Sequence, residues 1–265
     1  MIYYANPSTE AIRDVMASGR LGCIVSPKQG NVTFPDEWDV IADNGCFSDA
    51  WTEPQWLRWL IGLPRSVRFA VCPDVFHPDG SPCHDETLAR WEQYGGTIER
   101  HGFVPAFVVQ VGATPDNIPD APVLFIGGTD EFKLGPVVWD IVRAHRAERW
   151  IHMGRVNSRR RFRTARTLGC DSVDGTFLTF GPDTNLPRLL SLLPAALCCS
   201  ADVSNSAVRV LAAAIKDVEP SNVVRAPAIP SVMVAAMLPV TAVSMISSPP
   251  TITAPTGKGM QSKVM

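Results

Sequence analysis

The chain lacks the surplus of positive charge that marks a protein coated for nucleic acid. Its 24 Lys and Arg stand against 26 Asp and Glu in 265 residues, a formal net charge of −2, so any surface for a polyanion has to be local. It lacks a CxxC or CxC pair, and no histidine stands at zinc-finger spacing from a cysteine doublet, so no metal site is expected. The seven cysteines are odd in number and lie mostly in or beside apolar runs, which fits reduced thiols in an intracellular compartment better than a disulfide framework. The start MIYYANPSTE has no basic stretch leading into an apolar one, so no signal peptide is expected and the cytoplasm is the expected location. The one membrane candidate, SVMVAAMLPVTAVSMI, carries Pro239 and falls short of the roughly 20 apolar residues a span needs; no membrane partner is expected.

What is present is an alternation. Hydrophobic residues make up 46% of the chain, ample for one large α/β core. Short apolar runs closed by Pro, Gly, Asp or Asn recur at 21–27, 38–45, 68–74, 103–110, 123–128, 149–155 and 171–176, as buried parallel strands should. Helical patterns lie between several of them, clearest over Pro54–Leu63, His84–His101, Phe132–Ala147 and Asn157–Leu168. Seven strands, with an eighth available from MIYYA, predict a TIM (β/α)8 barrel; a doubly wound open sheet is the competitor. The barrel domain is expected over 1–197. From about Cys198 charges thin out and Ala, Val, Ser and Pro take over, so 198–265 reads as a poorly ordered tail, with one short helix allowed at Leu211–Val218.

In a barrel, polar residues at the carboxyl ends of strands share one mouth. Those ends carry Asp43 (DNGCF), Asp74 (VCPD), Gln110 (VVQ), Gly127-Gly128 (FIGG), Met153-Gly154-Arg155 (HMGR) and Asp174 (SVDG). Any one acid after a strand could be a helix cap or a turn former, and a lone glycine pair could be a tight turn. Six such ends together point to a pocket. Carboxylates and a carboxamide can read the donor and acceptor edge of a purine such as guanine, glycines admit a flat ring, and a thioether can cover its face. A carboxylate beside the sugar could attack the anomeric carbon as the base leaves, with a second carboxylate managing protons. Arg155, Arg159, Arg160, Arg161, Arg163 and Arg166 crowd about three helical turns with few acids between them, so phosphate binding is favoured over a merely solvated helix face. His152 reads as a core or supporting residue.

The motifs DNGCF, FIGGTDEFKLG, HMGRVN and GCDSVDGTF, in that order, resemble the queuine/archaeosine tRNA-guanine transglycosylases, and their wording is closer to the phage branch acting on DNA, the 7-deazaguanine DNA transglycosylases. The resemblance spans roughly 42–187. It implies exchange of guanine in DNA for a 7-deazaguanine such as preQ0 through a covalent glycosyl-aspartate, a hypermodification that protects DNA against restriction, in the host cytoplasm if the gene is a phage's. By position it implies Asp174 as nucleophile and Asp43 as general acid/base. Asp74 would read the guanine edge, Gln110 would sit near its carbonyl, Gly127 and Gly128 would line it, and Met153 and Gly154 would close over the ring. The partners implied are DNA, with tRNA as the alternative, and a free 7-deazaguanine base as co-substrate; no cofactor is implied, and a homodimer is left open. Asp171, facing differently from Asp174 on its strand, is expected to be structural. The cysteine-and-histidine zinc site of the tRNA enzymes has no counterpart here. A carboxylate-dependent nucleoside or glycoside hydrolase on the same barrel, and a noncatalytic binding module, remain alternatives.

Overall fold

Eight strands, each two to five residues long, form in chain order: β1 (Ile2–Ala5), β2 (Gly22–Val25), β3 (Val40–Ala42), β4 (Ala70–Val71), β5 (Pro105–Val109), β6 (Val123–Ile126), β7 (Trp150–Met153) and β8 (Ser172–Asp174). In the computed structural model, which describes residues 1–30, 33–47 and 50–193, every strand runs parallel to the next and β8 pairs back onto β1, closing the barrel. The fold is a TIM barrel, with MIYYA supplying the eighth strand. The tail expected over 198–265, and the short helix within it, lie outside the described residues.

Strand alternation sorts the apolar side chains into two layers. Tyr4, Ile41, Phe69, Val71, Val108 and Trp150 fill the barrel interior. The opposite face of the same strands, including Ile151, Met153 and Val173, packs outward with helix residues such as Ile12, Trp56, Ile98, Ile141 and Phe162. Burial on both faces is why these strands read as continuous apolar runs.

Among the described residues the helical ring has seven members: α1 (Glu10–Ala17), α2 (Glu53–Ile61), α3 (His84–Arg100), α4 (Asp130–Leu134), α5 (Pro136–His145), α6 (Arg159–Leu168) and α7 (Pro182–Leu190). Two of them, α1 and α7, go beyond the helices expected from sequence; α1 is started by Thr9, whose side chain accepts from the Ile12 N–H. The single helix expected over Phe132–Ala147 is two. Pro136 has no N–H to continue the ladder, and Gly135 before it is extended at φ −81°, ψ 166°. That break matters to the site, because α4 carries Lys133, which is buried with its Nζ on the Gly154 carbonyl.

Candidate active site

All three candidate acids stand at the carboxyl ends of their strands. Asp174 ends β8, Asp43 follows β3 directly, and Asp74 lies three residues past β4. Asp43 lies close enough to Asp174 and Asp74 for both negative charges to act on it, so the mouth gathers carboxyls from the neighbouring strands β3 and β4 and from β8 across the barrel.

Asp174 is 8% exposed and each of its oxygens has a donor. The Arg155 backbone N–H donates to Oδ1 at 3.1 Å, and His152 Nε2 lies 2.9 Å from Oδ2. His152 is fully buried inside the barrel, stacked on Phe125 at 4.6 Å and met edge-on by Phe69. Its other nitrogen, Nδ1, lies 2.8 Å from Ser172 Oγ, which in turn accepts from Trp150 Nε1–H at 2.7 Å. An indole N–H can only donate. With a neutral imidazole the network is therefore satisfied in one direction: indole to hydroxyl, hydroxyl to Nδ1, and Nε2–H to the Asp174 carboxylate.

The peptide unit that serves the other oxygen is also held. Its carbonyl, Gly154 O, accepts from Lys133 Nζ at 3.0 Å, while its N–H, on Arg155, faces Asp174. Lys133 is buried, and burial together with nearby Arg155 depresses its pKa. Arg155 is the one described non-glycine residue at positive φ, 58°, a conformation that costs energy and persists only when neighbours fix it. Those neighbours are identifiable: its guanidinium donates to Gly128 O at 2.7 Å and lies 4.9 Å from the Phe76 ring centroid, and its own carbonyl accepts from Arg161 at 3.2 Å. Gly154 has to be glycine, since a Cβ there would stand 2.6 Å from the Phe125 ring.

The opposite side of the mouth is built from carboxyls under pressure. Burial, then the charges of Asp174 and Asp74, push the Asp43 carboxyl up to about 7. Asp74 is raised by burial, partly offset by its donors. Its Oδ1 accepts from Asn44 Nδ2 at 2.9 Å and Cys46 Sγ at 3.2 Å, and its Oδ2 from Gln110 Nε2 at 2.6 Å. Three of roughly four acceptor positions are thus taken. Most of its acceptor capacity goes into orienting its neighbours, with one position left for a ligand donor. Gln110 turns Nε2 toward Asp74 and leaves Oε1 buried with no partner, an acceptor waiting for an N–H. Oε1 faces the Gly127-Gly128 turn, where a Cβ on Gly128 would lie 3.4 Å from it and Gly128 adopts φ +79°.

Met153 does not close over this pocket. Alternation on β7 points His152 inward and Met153 outward, into the layer between barrel and helices, where it is 1% exposed. Asp171 faces away from the mouth and accepts from the Ile151 N–H at 2.8 Å. On α6, Phe162, Ala165 and Leu168 form the buried face, so Arg159, Arg160, Arg163 and Arg166 project from the opposite one, all exposed. Arg161 belongs to neither group: it pairs with Asp130 of α4, an acid 31 residues away that local spacing did not reveal. Arg155 is occupied by Gly128 and Phe76, so of the arginines assigned to phosphate, Arg159, Arg160 and Arg163 are the ones left unengaged. Among the described residues no group of three or more His, Cys, Asp or Glu converges as metal ligands do, five cysteines are free thiols, and no helix is long and apolar enough to cross a membrane.

Four participants exceed what sequence reasoning assigned. His152 was left in a supporting role, yet the strand period that puts Asp174 inward also puts Ser172 and His152 inward. Asn44 and Cys46, in the DNGCF motif itself, turn out to be donors to Asp74. Lys133 carried no signal beyond sitting in the FKLG string after the glycine pair.

Comparison with known proteins leaves the chain without a family. No family description matches it, and no curated protein does. Among solved structures it is similar to QR15, an aldolase, at 14% identity and TM-score 0.43, over 72% of this chain and 96% of that one. It is also similar to the Amycolatopsis orientalis BexX/CysO complex at 15% identity and TM-score 0.45, over 72% of this chain and 86% of that one. Likenesses so distant carry no argument about chemistry.

Proposed function

We propose that this chain is a glycosyl-transferring enzyme that exchanges guanine in DNA for a 7-deazaguanine base of the preQ0 type by double displacement at the sugar. The observation that carries this reading is the pair of unlike carboxyls in one mouth: Asp174, accepting on both oxygens, and Asp43, pushed up to about 7 by its surroundings. A carboxyl held by donors beside one of raised proton affinity is the usual equipment for attack and proton transfer on one substrate.

In the first half-reaction an Asp174 oxygen bonds to the anomeric carbon while the glycosidic C–N bond breaks. The electron pair leaves with guanine, which takes the Asp43 proton and departs neutral. In the second, Asp43, now a carboxylate, accepts the ring N–H proton of the incoming deazaguanine. The freed nitrogen pair attacks the anomeric carbon and expels Asp174. The donors on both Asp174 oxygens serve each half, because they orient the carboxylate for attack and stabilise it again as leaving group. Gln110 Oε1 and the Gly127-Gly128 turn supply an N–H acceptor and a flat backbone wall for the base, and Arg159, Arg160 and Arg163 supply charge for the polymer's phosphates.

The test is nucleoside mass spectrometry of DNA and tRNA from cells expressing the chain together with a deazaguanine supply, alongside labelled-guanine exchange in vitro. Deazaguanosine in DNA is expected. Its appearance in tRNA alone would reassign the polymer, release of free base without incorporation would make the enzyme a hydrolase, and no reaction on either polymer would overturn the reading.

A further inference from the structure

Outside the mouth, a cleft of ≈ 280 Å³ opens between α6 and α7, on the far side of the loops that leave β7 and β8. Its floor is apolar and aromatic, with Tyr3, Phe162 and Phe177, and its polar lining includes Ser158, Arg159 and Arg188. We propose that this cleft binds the nucleotide flanking the reacting one in single-stranded polynucleotide, with its base against Phe177 and its phosphate between Arg159 and Arg188. The proposal rests on the base-exchange reading for its choice of polymer, but its geometry stands apart from the acids of the mouth.

Charge and shape select the occupant. Arg159 opens α6 and Arg188 lies in the last turn of α7; both are exposed, and among the described residues neither forms an ion pair. Two uncompensated guanidinium groups beside an aromatic floor are poorly used by a purely apolar ligand, which leaves the charges unanswered. A bare inorganic anion leaves the floor unanswered. A flat ring carrying a phosphate uses both, through stacking and bidentate charge-assisted hydrogen bonds. The first turn of α6 adds backbone N–H groups of the right polarity for an anion.

The cleft is tied rigidly to the Asp174 site. Phe177 follows Asp174 by three residues, at most about 10 Å along the chain. Between them Gly175 is pressed against the neighbouring loop, where an added Cβ would stand 2.7 Å from the Tyr3 hydroxyl and 2.9 Å from the Val156 carbonyl. The Thr176 N–H donates to Asn157 Oδ1 at 2.6 Å. The β7 and β8 loops are thereby locked together, so a base stacked on Phe177 is held at a fixed distance from the sugar that Asp174 would attack. Phe180, 75% exposed on the same loop, extends the aromatic surface toward solvent.

The experiment uses the full chain carrying Asp174→Asn, so that binding is read without chemistry, and a fluorescent single-stranded DNA 15-mer with one guanine as probe. Arg188→Gln is expected to weaken binding about 5- to 10-fold and to reduce the slope of log affinity against log salt by about 0.7. Phe177→Leu is expected to weaken binding at least about 5-fold, and Phe177→Trp to restore it. In the active enzyme the two weakening changes should raise KM for the oligomer by similar factors with kcat within about twofold. Unchanged affinity and salt slope in folded Arg188→Gln and Phe177→Leu proteins overturn the cleft, even if base exchange proceeds. Sensitive binding without base exchange keeps the cleft and removes the function. Thymidine monophosphate matching the oligomer's affinity overturns the polymer as source, because the site would then serve a free nucleotide.

Discussion

The two sides of the barrel mouth treat the same functional group in opposite ways. On the β7–β8 side one carboxylate, Asp174, meets a donor on each oxygen, and each donor is anchored behind: His152 by Ser172 and Trp150, the Arg155 amide by Lys133 on its peptide carbonyl. On the β3–β5 side Asp43 meets burial and two like charges, and its carboxyl is driven up to about 7. The contrast teaches that role is set by surroundings and not by residue type. An acid met by a donor on each oxygen is held in a fixed orientation, and an acid crowded by other acids is prepared to hold a proton.

The sharpest way to break the comparison is to exchange one carboxyl for its amide on each side. Asp174→Asn keeps shape but removes the attacking oxygen, and base exchange is expected to fall on the order of 10⁴-fold or more with DNA binding retained; exchange at the wild-type rate would sink the nucleophile assignment. Asp43→Asn should cost about 10²- to 10⁴-fold and abolish the ionisation near pH 7 in the rate profile. It should also act on stability with a definite sign. A carboxyl raised in the folded state contributes fully below its ordinary value of 3.8, and that contribution is lost as pH climbs to about 7. The amide, which never ionises, should therefore melt like the wild type near pH 4 and gain on the order of 1 kcal/mol over it at pH 8, after allowance for solvent at the partly open mouth. Denaturant melts at the two pH values check this, and an equal difference at both would remove the crowding argument.

The barrel was legible because a strand buried on both faces leaves a dense apolar run, and seven such runs are closed by strand-breaking residues, with MIYYA as the eighth. The positions of Asp43, Asp74 and Asp174 followed from that ending. What the runs did not show is direction. The period-two alternation that separates Asp171 from Asp174 also runs along β7, where it assigns His152 to the interior and Met153 to the helix layer. The split of the helix at Gly135 was also written in the sequence, as Gly-Pro within an otherwise periodic stretch. The near-saturation of Asp74 was not, since it depends on Gln110 and Asn44 meeting across three strands. Nor was the Arg161–Asp130 pair, whose members lie 31 residues apart on α6 and α4.

The next change tests whether the anchored donors matter beyond holding the fold. His152→Phe preserves the ring that stacks on Phe125 but removes both nitrogens, leaving Asp174 Oδ2 with no imidazole and the Ser172 hydroxyl without an acceptor. A stability loss of about 1–3 kcal/mol is expected from the stranded polar groups. Activity should fall about 10- to 100-fold, the usual scale for an orienting partner. Ser172→Ala should then cost less in this background than in the wild type, because the hydroxyl has lost Nδ1 and keeps only the Trp150 indole N–H. Fully additive losses in that double-mutant cycle would show that the chain of hydrogen bonds does not act as a unit.

Lys133→Met probes the weaker of the two clamps, and its smaller effect follows from what it leaves in place. Methionine fills the buried stem, so packing changes little, but Gly154 O loses its donor at 3.0 Å. The Arg155 N–H still faces Asp174, and the Arg155 backbone at φ 58° is still held by Gly128, Phe76 and Arg161. With three of four restraints intact, the peptide should loosen rather than flip, and kcat is expected to drop only about 3- to 10-fold with oligomer affinity unchanged. Arg155→Gly in the Lys133→Met background should deepen that loss, since glycine accepts positive φ without needing the restraints but cannot make the contacts to Gly128 and Phe76. If Lys133→Met alone lowers the rate as far as His152→Phe does, the two clamps are equal and the amide oxygen, not the imidazole, sets the geometry of Asp174.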